Sequence, residues 1–444
     1  QSKYANTMKI SMYTFLFEID SKFYAYNTLS NALIEIAEDT YKILLVNKNR
    51  HTPLQEKDLG CDELYQTLKE NHMITENDRD EFLLYKSIIL AGRSINILNL
   101  TIAPTMDCNY SCSYCFENCK RNIYMTEKVI SSIIKFIEQY ENIKNIHVVW
   151  FGGEPLLGIK QIESLYRKMI LIPDKNYSFS IISNGFLISP DIIKLFKEMK
   201  LQHIQITLDG LKETHNKIKF TKNENDTFSR TIKNIDLLAS SAPEIRISIR
   251  VNMNKENSSE FITLYSFILQ RYKSNPLIGI YPAFITSTSS KSSSSCSLLF
   301  NRQEKSEFIQ QLYYDRGIVT NLCGYPDSSF TECSIRNKHT FTIDPEGYLY
   351  KCWEIIGDQK YAIAKLDSEG TIQSIDQKIL NRYLYAADPL EDKTCSKCPY
   401  LPICFGGCPH KRIENIFKDK HYDTCTYLKG SLKEFIKIHL SQNS

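Results

Sequence analysis

The stretch Met106-Asp107-Cys108-Asn109-Tyr110-Ser111-Cys112-Ser113-Tyr114-Cys115-Phe116 decides how this chain is read. It spaces three cysteines as C-x3-C-x2-C. Thiolates this close can cap three irons of one [4Fe–4S] cube. The cube has four irons, so the fourth would lack a protein ligand and would be open to a small chelating molecule. Ferredoxins, whose clusters only carry electrons, usually supply a fourth cysteine. A zinc knuckle is the alternative; structural zinc takes four protein ligands, and Cys119 would be the fourth.

Around this loop, strands and helices alternate from about 97 to 284. Ile97 to Ile102 reads as a strand leading into the cysteines. A helix is expected over Thr126 to Tyr140, where Ile130, Ile133, Ile134 and Ile137 recur at helical spacing. Ile146 to Phe151 is a short apolar strand, and 159–171 a helix. Tyr177 to Ile182 is the next strand. Ser189-Pro190 has the form of an N-cap followed by proline at the first helical position. The remaining strands are His203 to Leu208, Ile245 to Val251 and Leu277 to Tyr281, with helices around Phe228 to Ile235 and Phe261 to Leu269. Strands alternating with helices imply a parallel sheet with right-handed connections. In such sheets ligands sit at the C-terminal ends of strands, which is where the cysteine loop falls.

Before residue 97 the pattern differs. Tyr13 to Ile19 and Lys22 to Asn27 read as strands about a turn at Asp20-Ser21, and Ala32 to Ala37 as a third strand or a short helix. Asp62 to Asn71 looks helical. Strands followed by helices suggest a winged-helix-like α+β module; an N-terminal extension packing on the sheet region is the alternative. At the other end of the sheet region, 285–297 is serine-rich and reads as a linker or surface loop, or as a loop over the site.

The 444 residues suggest two to three domains, and a 42% hydrophobic content suffices for globular cores. A net charge of +3 does not point to nucleic acid or an anionic membrane. No run of about 18 apolar residues is present, so no transmembrane helix is expected. The start, Gln1-Ser2-Lys3-Tyr4, lacks the apolar core of a signal peptide, and a cytoplasmic location is expected. Fourteen cysteines in such a chain suggest metal or catalysis rather than disulfides. Four lie in 108–119 and eight in 323–425.

The triad, with Tyr114 before its third cysteine, resembles radical S-adenosylmethionine (radical SAM) enzymes. The resemblance implies a [4Fe–4S] cluster on Cys108, Cys112 and Cys115 whose open iron is chelated by S-adenosylmethionine. One electron then gives a 5′-deoxyadenosyl radical, chemistry that belongs to the cofactor while the protein positions it. Gly152-Gly153-Glu154-Pro155, about 37 residues beyond Cys115, resembles the family segment that binds the methionine amino group. Ser183 and Asn184, Thr207 and Asp209 resemble segments near the nucleoside. Arg250 and Asn252 resemble the pair near the carboxylate and ribose, a role that suits the bidentate guanidinium.

Cys333, Cys352, Cys395, Cys398, Cys404, Cys408 and Cys425 match the spacing of the SPASM domain, which in relatives carries two auxiliary [4Fe–4S] clusters. A zinc ribbon is the alternative for part of this array. Carried over, Cys395, Cys398, Cys404 and Cys425 hold the distal cluster. Cys333, Cys352 and Cys408 hold the nearer one, with Cys323 as candidate fourth ligand and Cys296 a weaker one. In sulfatase-maturing relatives a proton-accepting carboxylate follows the cysteine matching Cys352. Here Lys351-Cys352-Trp353-Glu354 places tryptophan there, leaving Glu354 as a displaced candidate.

The resemblance therefore implies a partial (β/α)6 TIM-like barrel at 97–310, a winged-helix-like peptide-recognition module at 1–96 and a SPASM domain at 311–444. It implies a peptide-modifying enzyme that installs a crosslink in a ribosomally made precursor peptide with a leader sequence, thioether first, C–C or C–O next. Sulfatase maturation is the runner-up, and an electron-transfer or peptide-binding module the non-enzymatic alternative. Its partners would be that peptide and an electron donor such as flavodoxin or ferredoxin.

Overall fold

The computed structural model describes residues 8–112, 114–115, 121–221, 224–286, 296–320, 322, 324–328 and 332–443. Cys119, Cys323 and most of the serine-rich stretch, 287–295, lie outside the described residues, as does the side chain of Cys296. The chain divides into two compact units. The first joins Gln1–Ile95 with Arg302–Arg336 and Tyr385–Ser444; the second joins Asn96–Asn301 with Asn337–Leu384. Each unit thus joins segments that are separate along the chain.

In the first unit, β1 (Lys9–Ile10) is followed by the antiparallel meander β2 (Thr14–Ile19), β3 (Lys22–Asn27) and β4 (Leu33–Ile36). Asp20 and Ser21 both take positive φ, 50° and 63°, as a two-residue hairpin turn with the twist of its strands requires. The stretch open to strand or helix is the strand β4. The helices α1 (Glu38–Arg50), α2 (Glu56–Leu59) and α3 (Asp62–Glu70) follow, then β5 (Ile74–Thr75), which pairs with β1, and α4 (Asp78–Arg93). Helices α1 and α4 were unassigned in the sequence. Ile43-Leu44-Leu45-Val46 is a continuous apolar run without helical period, and only Leu44 of the four is fully buried. α4 is capped by Asn77, whose side chain accepts from Arg79 N at 2.9 Å. Tyr13, Leu29, Tyr85 and Ile89 share a buried cluster with Leu390 and Leu401 of the cysteine-rich segment. Arg93 adds a buried double fork, with Nε 2.6 Å from Glu332 and Nη1 2.5 Å from Asp388.

In the second unit six parallel strands lie side by side in chain order: β6 (Ile97–Ile102), β7 (Asn145–Trp150), β8 (Asn176–Ser183), β9 (His203–Leu208), β10 (Arg246–Met253) and β11 (Ile278–Phe284). Helices α5 (Glu127–Glu138), α6 (Ile159–Met169), α7 (Pro190–Glu198), α8 (Lys212–Ile218), α9 (Thr227–Ser241) and α10 (Phe261–Arg271) alternate with them. This is the expected six-unit α/β sheet, open rather than closed because β11 ends it. Ser189 caps α7 as its sequence predicts, accepting from Ile192 N at 3.4 Å. Alternate strand residues, such as Leu98, Leu100 and Ile102, are buried. The other face is half-buried and polar, with His147 against Ser178 at 2.8 Å, His203 against Ser248 at 2.9 Å and Tyr281 donating to Gln205 at 2.6 Å. A parallel sheet normally buries apolar residues on both faces; a polar second face is suited to a polar ligand.

Beyond β6 the sheet continues through β12 (Thr340–Ile343), β13 (Tyr348–Tyr350), β14 (Ala364–Leu366) and β15 (Ile372–Gln373). β12 runs parallel to β6 in the register Thr340↔Asn99 to Ile343↔Ile102, and the last three are antiparallel. Among the described residues no helix is long and apolar enough to cross a membrane.

Candidate active site

The cysteine loop leaves the C-terminal end of β6. Its approach is fixed by a short antiparallel partner: Met106 N donates to Ile123 O at 3.1 Å, and Met125 N to Pro104 O at 2.9 Å. Asp107 then accepts from Cys108 N at 2.9 Å and from the Tyr124 hydroxyl at 3.1 Å. Cys108, Cys112 and Cys115 are half-buried thiols. Donors already face their sulfurs: Tyr110 N lies 3.4 Å from Cys108 Sγ, and Lys219 Nζ 3.7 Å from Cys112 Sγ. Soft thiolates surrounded by N–H donors fit an iron–sulfur cluster.

The Gly-Gly-Glu-Pro segment follows β7 and docks on the backbone of this approach. Gly153 N donates to Thr105 O at 3.3 Å and Glu154 N to Asp107 O at 2.8 Å. A Cβ at Gly153 would sit 2.1 Å from the Asp107 carbonyl oxygen, so only glycine permits the contact; Gly152 adds a φ of +113°. The glycines thus seat the segment against the residue preceding Cys108. Glu154 is 1% exposed. Its Oε1 accepts from Leu156 N at 3.0 Å and Ser183 Oγ at 2.8 Å, and its Oε2 from Asn184 N at 2.8 Å. Asn184 reaches on to Asn109 at 2.8 Å, inside the cysteine loop. Burial raises the Glu154 carboxyl, and these donors oppose the rise. Pro155 opens the turn Pro155–Gly158.

A second cluster joins the ends of β9 and β10. Buried Asp209 accepts from the Tyr114 hydroxyl and lies 3.5 Å from Lys219 Nζ. Asn252 donates to the same hydroxyl at 3.1 Å and accepts from Arg250 Nε at 2.8 Å. Asn257 ties Asp209 O and Asn252 O together at 2.7 and 2.9 Å. Tyr114, Asp209, Arg250 and Asn252, all drawn from the sequence, are therefore one network, with Thr207 on the same strand end as Asp209. Lys219 was missed. It is 5% exposed and lies over the rings of Tyr110 and Tyr114 at 5.8 and 5.5 Å. Burial alone would lower its ammonium, but Asp209, Tyr114 and Cys112 outweigh that and hold it above its ordinary value. Burial pushes the Asp209 carboxyl up, against Lys219 and the Tyr114 hydroxyl. Nothing local distinguishes Lys219 from Lys212 or Lys217; Asn257 was missed for the same reason.

Of the C-terminal cysteines, Cys352 follows β13 in the second unit, where Lys351 anchors its backbone by donating to Asn337 O and Thr340 O at 2.6 and 2.7 Å. Trp353 is 44% exposed and stacks on Phe151 at 5.9 Å. Glu354 is half-buried in the turn Trp353–Ile355. Cys333, Cys395, Cys398, Cys404, Cys408 and Cys425 belong to the first unit. Burial pushes the Cys404 thiol up; backbone N–H groups of Thr426 and Gly406 oppose this, and Cys425 and Cys398 lie near enough to add to it. A Cβ at Gly407 would sit 1.9 Å from Thr424 O, so the glycine seats the Cys404–Cys408 loop against the residue before Cys425. These thiols and donors fit a cluster. Among the described residues no three His, Cys, Asp or Glu side chains converge to hold a single metal ion.

Residues 102–268 match the family model of the Radical SAM superfamily. They form a radical SAM domain. The cysteine-type anaerobic sulfatase-maturating enzyme of Clostridium novyi (strain NT) is 25% identical over 359 residues, covering 72% of this chain and 89% of that protein. The radical SAM cyclopropyl synthase TigE of Paramaledivibacter caminithermalis is 25% identical over 269 residues, 53% of this chain and 54% of TigE, so this chain spans about half of that relative. Among solved structures, native anSMEcpe with bound AdoMet and Cp18Cys peptide superposes with a TM-score of 0.59 at 18% identity over 78% of this chain and 97% of that one, a likeness of fold. The chain is a radical SAM enzyme, and both clusters of polar residues described above lie within or beside the matched segment.

Proposed function

We propose that this radical SAM enzyme removes a hydrogen from a ribosomally made precursor peptide and closes a crosslink, a thioether in the first instance. A [4Fe–4S] cluster with S-adenosylmethionine supplies hydrogen abstraction, and auxiliary clusters supply a one-electron acceptor. Cys108, Cys112 and Cys115 would hold the first cluster. Lys219, buried and cationic beside Cys112, and Arg250 present positive charge to a carboxylate. Tyr114, Asp209 and Asn252 present hydroxyl, carboxylate and amide groups that suit ribose. Glu154 braces the loops around Asn109 and Asn184 and leaves the backbone of the Gly-Gly-Glu-Pro segment to meet an ammonium group. Cys395, Cys398, Cys404 and Cys425 would hold the distal auxiliary cluster. The β2–β3–β4 meander and its helices would bind the leader.

The observation that carries the choice of crosslinking is Trp353. Joining a thiol to a carbon removes two hydrogens: one as the abstracted atom, and one as a proton plus an electron delivered to the acceptor. A fixed base at the position after Cys352 is what formylglycine formation would use, and an exposed indole stacked on Phe151 cannot take a proton there. Glu354 is the nearest carboxylate in that turn. The test uses anaerobically reconstituted protein with strong reductant, S-adenosylmethionine and a cysteine-containing precursor peptide. A peptide lighter by two hydrogens, with one thiol lost to alkylation, is expected alongside 5′-deoxyadenosine. Formylglycine in a sulfatase peptide, with the precursor unchanged, would replace this reading by sulfatase maturation.

A further inference from the structure

Arg412 lies in the helix Pro409–Lys418, which has Cys408 as its N-cap residue. Its side chain is only 9% exposed, so its charge is poorly screened by water. The guanidinium is fully engaged. Nε donates to Ala387 O at 2.9 Å, Nη2 to Asp392 Oδ2 at 2.9 Å, and Nη1 to Cys395 Sγ at 3.4 Å, with Gly406 O a further 3.5 Å contact. Asp392 holds the same cysteine from the other side, its Oδ1 accepting from Cys395 N at 2.8 Å and Thr394 N at 2.9 Å. Ala387 O also accepts from Arg336 at 2.8 Å, and Arg336 N in turn donates to Cys333 O at 3.2 Å. One buried arginine thus ties the segment that carries Cys395 to the helix that begins at Cys408.

We propose that Arg412 is a positioning residue for the auxiliary cluster held by Cys395: it fixes the ligand segment and, through the N–H···S contact, favours the reduced cluster. The inference rests on the assignment of Cys395, Cys398, Cys404 and Cys425 to one cluster. Reduction of a [4Fe–4S] cluster adds one electron and so one negative charge. A cation hydrogen-bonded to a ligating sulfur stabilises that added charge, which raises the reduction potential. Asp392 is the opposing charge, but its side chain is 35% exposed and more strongly screened. Lysine would keep the charge and lose the planar fork that meets three partners at once.

The full-length chain carrying Cys112→Ala, which removes the first cluster's contribution, is reconstituted and titrated with dithionite while the reduced auxiliary signal is followed by electron paramagnetic resonance. In Arg412→Gln the oxidised-to-reduced ratio at a fixed potential should rise about tenfold, equivalent to about 59 mV for a one-electron couple, with Arg412→Lys between it and wild type. Unchanged potential in an iron-replete Arg412→Gln overturns the proposal. If that variant holds no iron, Asp392→Asn decides: removing the counter-charge should shift the ratio the other way, and no shift overturns the proposal. Absence of any auxiliary signal in the Cys112→Ala parent overturns the proposal too, and identifies the cluster assignment as what failed.

Discussion

Glu81 lies on α4, 5% exposed, with Oε2 accepting from Ser11 Oγ at 2.7 Å. Among the described residues its Oε1 has no hydrogen-bond partner, nor does the buried Tyr13 hydroxyl. Burial, opposed by the Ser11 hydrogen bond and aided by Asp78, raises the carboxyl from 4.5 to about 7. Between those values the folded state binds a proton that the unfolded state has released. Stability therefore falls as pH rises through this window, by about 1.4 kcal/mol per pH unit. The rise of about 2.5 pH units (7 − 4.5) amounts to about 3 kcal/mol, fully expressed above pH 7 and absent below pH 4.5. Glu81→Gln cannot ionise. Its α4 amides should match wild type near pH 4.5 and be more protected by about 3 kcal/mol at pH 8. Native-state hydrogen exchange is the assay, because a chain of two compact units need not unfold in one transition. A variant-minus-wild-type difference that is the same at pH 5 and pH 8 would refute the reasoning.

Gly153→Ala forces a methyl onto Asp107 O, 2.1 Å away, and backbone cannot yield cheaply; iron bound by the Cys108 triad on reconstitution should fall sharply in a protein whose far-ultraviolet spectrum is unchanged, and normal iron content would count against it. Lys219→Met strands Asp209 in a fully buried site, at a cost of about 3–5 kcal/mol, and should weaken S-adenosylmethionine binding at least tenfold. Adding Asp209→Asn should recover stability, and additive losses in the double variant would show that the two residues are not coupled. Arg93→Ala leaves Glu332 and Asp388, whose side chains are 8% and 7% exposed, without their shared fork. About 3–5 kcal/mol should be lost, read as denaturant-induced opening of the first unit; a loss below about 1 kcal/mol would mean that water replaces the fork.

What could be read from the sequence was what has a short-range signature. The six strands of the sheet came from apolar runs bounded by turns, and Ser189-Pro190 announced a cap that forms. The cysteine spacings and Gly-Gly-Glu-Pro needed no geometry either. α1 stayed hidden because Ile43 to Val46 carries no period, and its burial is decided by packing against β1 and β3. Lys219 stayed hidden because its environment is assembled from Cys112, Tyr114 and Asp209, residues up to 107 positions away. The need for glycine at 153 could not be read locally, since it comes from the Asp107 carbonyl 46 positions earlier in the chain. Pairing of β12 with β6 could not be anticipated, since neither strand encodes its partner.

That pairing governs when the domain can be completed. β6 carries the cysteine loop, and one side of it is hydrogen-bonded to β7, made soon after. Its other side waits for Thr340–Ile343, some 240 residues later in synthesis. Until then the nascent chain presents a bare parallel edge beside its cysteine loop, a liability for mispairing. Long-range closure of this kind is slow. Loading of iron onto the proposed ligands Cys108, Cys112 and Cys115 is thereby tied to synthesis past residue 343, and shortened chains ending before residue 340 should accumulate as aggregates.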